Sequence, residues 1–191
     1  MRFASLFIPG FYLQAALRGH VLSAGEGEPT YAVFQQPAAL IDEREKKPII
    51  LELNQAAQSA GVAAGMTPSQ ALARCLDLLI LPRSLQQELS VQEILLERAF
   101  SLSPYVEETG PGLCTIQFFD DRDRNTEISR VLTELRSCQI IASAGVGPDP
   151  DVSHLAAHRA EPILTIDDSY EFLAPLPLEV LLSNLNDLRS A

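Results

Sequence analysis

The chain has 191 residues, 47% of them hydrophobic and 20% charged, with a formal net charge of −11. That length suits one large domain or two small ones, and that apolar content supports a packed core, which excludes general disorder. Acidic residues outnumber basic ones 25 to 14, so this stretch by itself lacks the cationic surface needed to hold a nucleic acid tightly.

The first predicted element is a buried strand over the apolar run Phe3–Ile8. Pro9 and Gly10 end that run too early for a signal peptide or a membrane helix. A short helix over Phe11–Arg18 follows, with Gly19 as its stop, then a loop over residues 22–29. Strands are expected at Tyr31–Phe34 and Ala38–Ile41, separated by the charged turn DEREKK (42–47) from another at Ile49–Leu53. Asn54 is a fitting cap for a helix over Gln55–Ala60, which Gly61 ends. Thr67-Pro68 opens a helix through Cys75, with Pro in its first turn.

A strand over Leu78–Leu81 leads to Pro82. Residues 85–100 carry apolar side chains at helical spacing: Leu85, Leu89, Ile94, Leu95 and Ala99. Tyr105–Glu108, Gly110-Pro111-Gly112 and Leu113–Phe119 read as strand, turn, strand. DDRDRN (120–125) is a polar loop, Ile128–Cys138 an amphipathic helix and Ile140–Val146 a strand. Asp149-Pro150 caps and starts a helix to Ala160. Ile163–Ile166 is a last strand, and FLAPLPLEVL (172–181) lies in a final segment.

Cys75, Cys114 and Cys138 are odd in number, widely spaced and without a CxxC pattern, so neither a disulfide nor a metal site is expected, and a reducing cytoplasm is. From Leu78 to Ala160 the order is strand, helix, strand, strand, helix, strand, helix. With the first strand added, this predicts an α+β fold: a ferredoxin-like, split β-α-β antiparallel sheet backed by helices, with residues 11–77 inserted after the first strand.

Five phrases, in order, resemble the Y-family (translesion, UmuC/DinB-like) DNA polymerases. LFIPGFYLQAAL (6–17) is similar to the strand that opens their palm and runs into a Phe-Tyr-Ala helix. ELNQAAQSAGVAAGMTPSQALARC (52–75) is similar to their fingers segment. LSPYVEE (102–108) resembles the lead-in to the catalytic hairpin. ASAGVGPDPDVSHLAAHRAEP (142–162) follows their Gly-Ile-Ala-x-Asn-Lys helix without a gap, and FLAPLPLEVL resembles the approach to the thumb. The resemblance implies a palm over 1–10 and 78–165, a small α/β fingers insertion over 11–77, and the start of a thumb over 166–191. It also implies a longer protein, whose thumb, little finger and partner-binding tail lie beyond this sequence.

Nucleotidyl transfer in that family needs magnesium held by carboxylates, because the ion prefers hard oxygen ligands in octahedral geometry. The ligand positions carried over from the family fall on Phe7, Gly112 and Leu113, with Pro9 where a second Asp often stands. A one-residue shift of the hairpin gives Pro111 and Gly112, and residues 109–119 contain no acid in either register. The fingers Tyr and Arg that grip the triphosphate fall on Gln55 and Gln58, which carry no charge, and the phosphate-reaching Lys falls on His154. Phe11 and Tyr12, where active members discriminate the sugar, remain, with packing as their expected role. The remnant nucleotide pocket would thus be Phe11, Tyr12, Gln55, Gln58 and His154.

Frame kept and pocket charges lost is the pattern of ImuB-type mutasome proteins. The resemblance implies a non-catalytic scaffold of damage-induced (SOS) mutagenesis in a bacterial cytoplasm, nucleoid-associated during repair. It implies no cofactor, and as partners a RecA-like accessory protein, the sliding clamp and an error-prone polymerase. DNA contacts would come through absent C-terminal domains. The competing expectation is an active or nucleotide-binding translesion polymerase with relocated magnesium ligands drawn from Glu108, Asp120 and Asp121. A plain DNA-binding repair module is disfavoured by the charge.

The remaining polar groupings have plain readings. His154 and His158 have the i, i+4 spacing of zinc ligands, but LAA and RA flank them without an intervening Glu, which predicts a partly exposed helix face. Arg122 and Arg124 interleave with Asp120, Asp121 and Asp123, as in a solvated loop. Glu107 and Glu108 are neighbours on a strand and point to opposite faces, as edge charges do.

Overall fold

The computed structural model describes residues 1–24, 35–43, 46–120 and 122–177. Its strands are β1 (Arg2–Phe7), β2 (Ala38–Ile41), β3 (Ile50–Leu53), β4 (Leu79–Pro82), β5 (Val106–Gly110), β6 (Leu113–Phe118), β7 (Ser143–Gly147) and β8 (Ile163–Thr165). Its helices are α1 (Phe11–Ala24), α2 (Gln55–Ser59), α3 (Pro68–Arg74), α4 (Leu85–Phe100), α5 (Asn125–Ser137), α6 (Pro150–Ala157) and α7 (Ser169–Leu173). The chain divides into two compact units, one of Met1–Pro9 with the chain from Gln92 onward, the other of Gly10–Val91.

The first unit holds a five-stranded sheet in the order β5-β6-β1-β7-β8, antiparallel at every pairing except β7–β8. The apolar run at the N-terminus supplies the central strand, buried on both faces, which is why it reads as a continuous run and not as an alternation. Ala4, Leu6 and Ile8 are fully buried on one face. On the other, Ser5 lies beneath α6 and its hydroxyl bonds that of Ser153 at 2.8 Å. Gly145 makes this close approach feasible: a Cβ there would stand 2.1 Å from the Ser153 carbonyl oxygen and 2.2 Å from the Ala157 nitrogen. Toward the β8 edge, α6 packs Val152 and Ala156 against Ile166, Leu164, Phe172 and Leu173.

The second unit is a three-stranded sheet, β3-β2-β4, covered on both sides. Alternation along β2 sends Ala38 and Leu40 to Leu13, Ala16 and Leu17 of α1 and to Leu81. It sends Ala39 and Ile41 to Ile50, Ala57, Val62 and Ala71 on the other side. The cap residues act as expected. Asn54 accepts the Ala57 N–H at 3.0 Å, and also ties down the start of β2 by accepting from Ala38 at 3.1 Å and donating to Gln36 at 2.7 Å. Thr67 and Gln70 form a reciprocal capping box, and Asp149 accepts from Val152 at 2.8 Å.

Several boundaries differ from expectation. α1 continues past Gly19 to Ala24, so Gly19 is not a stop. It is a contact point, where a Cβ would meet the Gln87 side chain at 2.8 Å. α5 begins at Asn125, three residues ahead of the apolar Ile128 that marked it in sequence, because its first turn is solvated and carries no apolar signal. β4, expected in the antiparallel sheet with the first strand, instead pairs in parallel with β2 in the three-stranded sheet. Tyr31–Phe34, residues 44–45 of the charged turn, Asp121 and residues 178–191 lie outside the described residues. No described helix is long and apolar enough to cross a membrane.

Candidate functional site

In the first unit, β1 and β6 run antiparallel with Phe7 opposite Leu113, and the Ile8 N–H donates to the Gly112 carbonyl at 2.8 Å. Three of the sequence-selected positions, Phe7, Gly112 and Leu113, are therefore neighbours across two strands. Gly112 sits in the β5–β6 turn with φ +68°, a left-handed conformation that an aspartate would adopt only with strain. The turn is held from α4: Gln92 accepts the Gly112 N–H at 2.8 Å and donates to the Gly110 carbonyl at 3.4 Å. Pro9 is exposed just beyond β1.

The ring of Phe7 meets that of His158, with centroids 3.8 Å apart. His158 in turn shares a 2.8 Å Nε2–Nε2 hydrogen bond with His154. One ring must donate and the other accept, so at least one imidazole is neutral while that bond stands. His154 is buried and His158 exposed, so the expectation of a partly exposed histidine face holds for His158 alone. Both histidines have further interactions, and among the described residues no three His, Cys, Asp or Glu side chains are grouped to hold a metal.

The side chains at 7, 112 and 113 offer no oxygen ligand, so they do not fit a magnesium ion. Of the acids considered as replacements, Glu108 pairs with Cys114, which pairs with Leu6, so its side chain lies on the opposite face from Phe7. Asp120 is engaged by Arg124 at 2.9 and 3.1 Å and by Arg122 at 3.5 Å. Desolvation is the largest single influence and raises its carboxyl, but the Arg124 bonds, the Arg122 N–H and the two cations together outweigh it and hold the carboxyl below the ordinary range.

In the second unit, Phe11 is buried and its ring meets Tyr12 edge-on at 5.3 Å. Tyr12 packs on the α1–β2 core, and the Arg83 guanidinium lies over its ring, 4.1 Å from the centroid. Arg83 forks onto Glu88 through two bonds of 2.7 and 2.9 Å. The Glu88 bond raises the already high pKa of Arg83. Glu52 accepts the Leu13 N–H in the first turn of α1 at 2.9 Å. Burial pushes its carboxyl above the ordinary range, opposed by that N–H and by Arg83. Gln55 and Gln58 are exposed on α2.

The packing of Phe11 and Tyr12 was legible in sequence. Arg83, Glu88, Glu52 and Gln92 were not. Arg83 and Glu88 stand five apart across the start of α4, a spacing that matches no helix-face pairing rule. Glu52 and Gln92 read as ordinary polar positions of an alternating strand and a helix.

The model of the impB/mucB/samB family matches residues 7–158. Among solved structures, an insertion ternary complex of Dbh DNA polymerase is similar to the chain with a TM-score of 0.74 at 16% identity, over 98% of this chain and 58% of that one. The crystal structure of DinB from Sulfolobus solfataricus is similar with a TM-score of 0.72 at 15% identity, over 98% and 57%. At such identities the likeness shows the fold, an α+β core of the Y-family polymerase kind. The chain spans a little over half the length of the chains in these two solved structures. No curated protein sequence matches it.

Proposed function

Because the chain belongs to the impB/mucB/samB family, we propose that it is the palm-and-fingers portion of a Y-family-like protein of translesion synthesis that acts as a non-catalytic scaffold, in the manner of ImuB-type mutasome proteins. In this reading the fingers, expected over 11–77, lie within the Gly10–Val91 unit, and the palm is built on the five-stranded sheet. The observation that carries it is the pairing of Phe7 with Leu113 beside Gly112. The strands that would bring metal ligands together bring together a phenyl ring, a glycine and a leucine. The phenyl ring lies against the His158 ring at a tilt of 33°. Two further features support it. Gln55 and Gln58 carry no charge for a triphosphate, and the ring face of Tyr12 is covered by Arg83, itself forked onto Glu88. Partners would be a RecA-like accessory protein, the sliding clamp and an error-prone polymerase in a bacterial cytoplasm.

Primer extension by the full-length protein, with magnesium and with manganese, tests this reading. The expected result is no incorporation above a protein-free control, with both metals. Robust incorporation that disappears in Asp120→Asn/Asp121→Asn, or in Glu108→Gln, would replace the scaffold with a polymerase using relocated ligands.

A further inference from the structure

β5 is an edge strand: it pairs with β6 on one side and with no other strand of the described residues. The Gln117 N–H donates to the Tyr105 carbonyl at 2.9 Å, so 105–117 is a hydrogen-bonded pair. Alternation along an antiparallel ladder makes 107–115 the next such pair and turns the backbone N–H and C=O of Val106 and Glu108 outward. Glu107 and Glu108 are both exposed, one toward each face of this edge. At the start of the strand, Tyr105 and Phe119 are 55% and 65% exposed, and their rings meet edge-to-face at 4.8 Å.

An open ladder needs protection from chance pairing, and two glutamates repel an acidic strand. They also repel a second copy of this edge, where acid would come opposite acid. Nucleic acid is repelled in the same way. Toward a basic strand the same two charges are attractive, and the aromatic pair beside them is a platform for one apolar side chain.

We propose that the β5 edge receives an extended basic segment of another protein. The segment adds a strand to the sheet through the outward groups of Val106 and Glu108. Its Lys or Arg side chains lie against Glu107 and Glu108, and one apolar side chain rests on Tyr105 and Phe119. Charge complementarity selects this occupant, and the proposal stands whether or not the protein polymerises nucleotides.

The probe is a short capped Lys–Leu peptide, Leu-Thr-Lys-Lys-Thr-Leu, whose adjacent Lys pair reaches both faces and whose Leu stands two residues from the nearer Lys, with the same peptide carrying Glu for Lys (Glu–Leu) as control, added to the full-length protein. Hydrogen–deuterium exchange read by mass spectrometry is expected to slow roughly tenfold in fragments spanning 105–109 with the Lys–Leu peptide only. Glu107→Gln/Glu108→Gln and Phe119→Ala are each expected to weaken binding about fivefold. Glu108→Pro removes one outward donor without touching the β5–β6 bonds, and is expected to weaken binding further than Glu108→Gln. If Glu108→Pro fails to fold, Glu108→Gln and Phe119→Ala carry the same decision. Protection elsewhere on the chain, equal protection by the Glu–Leu peptide, or affinity indifferent to Phe119→Ala and Glu108→Gln would overturn the proposal. So would a dimer in light scattering that dissociates in Phe119→Ala, since the edge would then belong to a second copy.

Discussion

Arg83 and Glu88 form a bidentate pair in which the two partners are unequally solvated: the Glu88 side chain is 6% exposed and that of Arg83 37%. Removing either partner leaves the other behind, so the order of the two losses follows from burial. Arg83→Met strands a buried carboxylate without a counter-charge, which costs about 3 kcal/mol. Glu88→Gln leaves a guanidinium that still reaches water and still lies over Tyr12, so solvent screening reduces its loss to about 1 kcal/mol. In the double variant neither charge is stranded, so the total falls short of the sum by roughly 1–2 kcal/mol. Urea denaturation of the two single variants and the double variant at pH 7 measures all three quantities, with an unchanged slope as the sign that the unfolding reaction is the same. A Glu88→Gln loss equal to or larger than that of Arg83→Met would refute the reasoning, because burial would then not decide which orphan is worse.

Gly145→Ala is expected to destabilise by about 3 kcal/mol, since the new Cβ meets the backbone of Ser153 and Ala157, which no rotamer change can move; a thermal melt showing less than about 1 kcal/mol lost would contradict the seating of α6. Glu52→Gln keeps an acceptor for the Leu13 N–H and removes the buried charge. Because burial raises the folded pKa of Glu52 above its ordinary 4.5, the stability linked to its proton is full below that value and lost as pH rises through the raised pKa. The variant is therefore expected to match the wild type in urea at about pH 4 and to exceed it by under about 1 kcal/mol at pH 7. Burial, opposed by a bond with Leu6 and reinforced by Glu108, pushes the Cys114 thiol up to about 12. Iodoacetamide at pH 8 should accordingly leave Cys114 unmodified in the folded protein, while Cys75 and Cys138, both partly exposed, react; mass spectrometry after labelling in urea should find Cys114 modified too.

What the sequence determined by itself was local in character. A cap such as Asn54, Thr67 or Asp149 acts on amide groups within its own first turn, and the starts of α2, α3 and α6 followed from it, whereas α6 ends at Ala157 and not at Ala160. The run Phe3–Ile8, polar only at Ser5, announced a buried central strand, because solvent on either face would have demanded regular alternation. The absence of acids at 7, 112 and 113 needed no coordinates, since a missing carboxylate is missing in any fold. The side chains that replace it were a tertiary matter. Phe7 meets His158 because β1 lies under α6, and that distance depends on a glycine in a third element, β7. Tyr12, Arg83 and Glu88 meet because α1, the end of β4 and the start of α4 converge, while the sequence keeps Tyr12 and Arg83 far apart. Gly19 shows the same limit from the other side. A glycine in a helical pattern carries a backbone signal to stop and a packing signal to admit a neighbour, and only the Gln87 side chain resting against it decides which one applies.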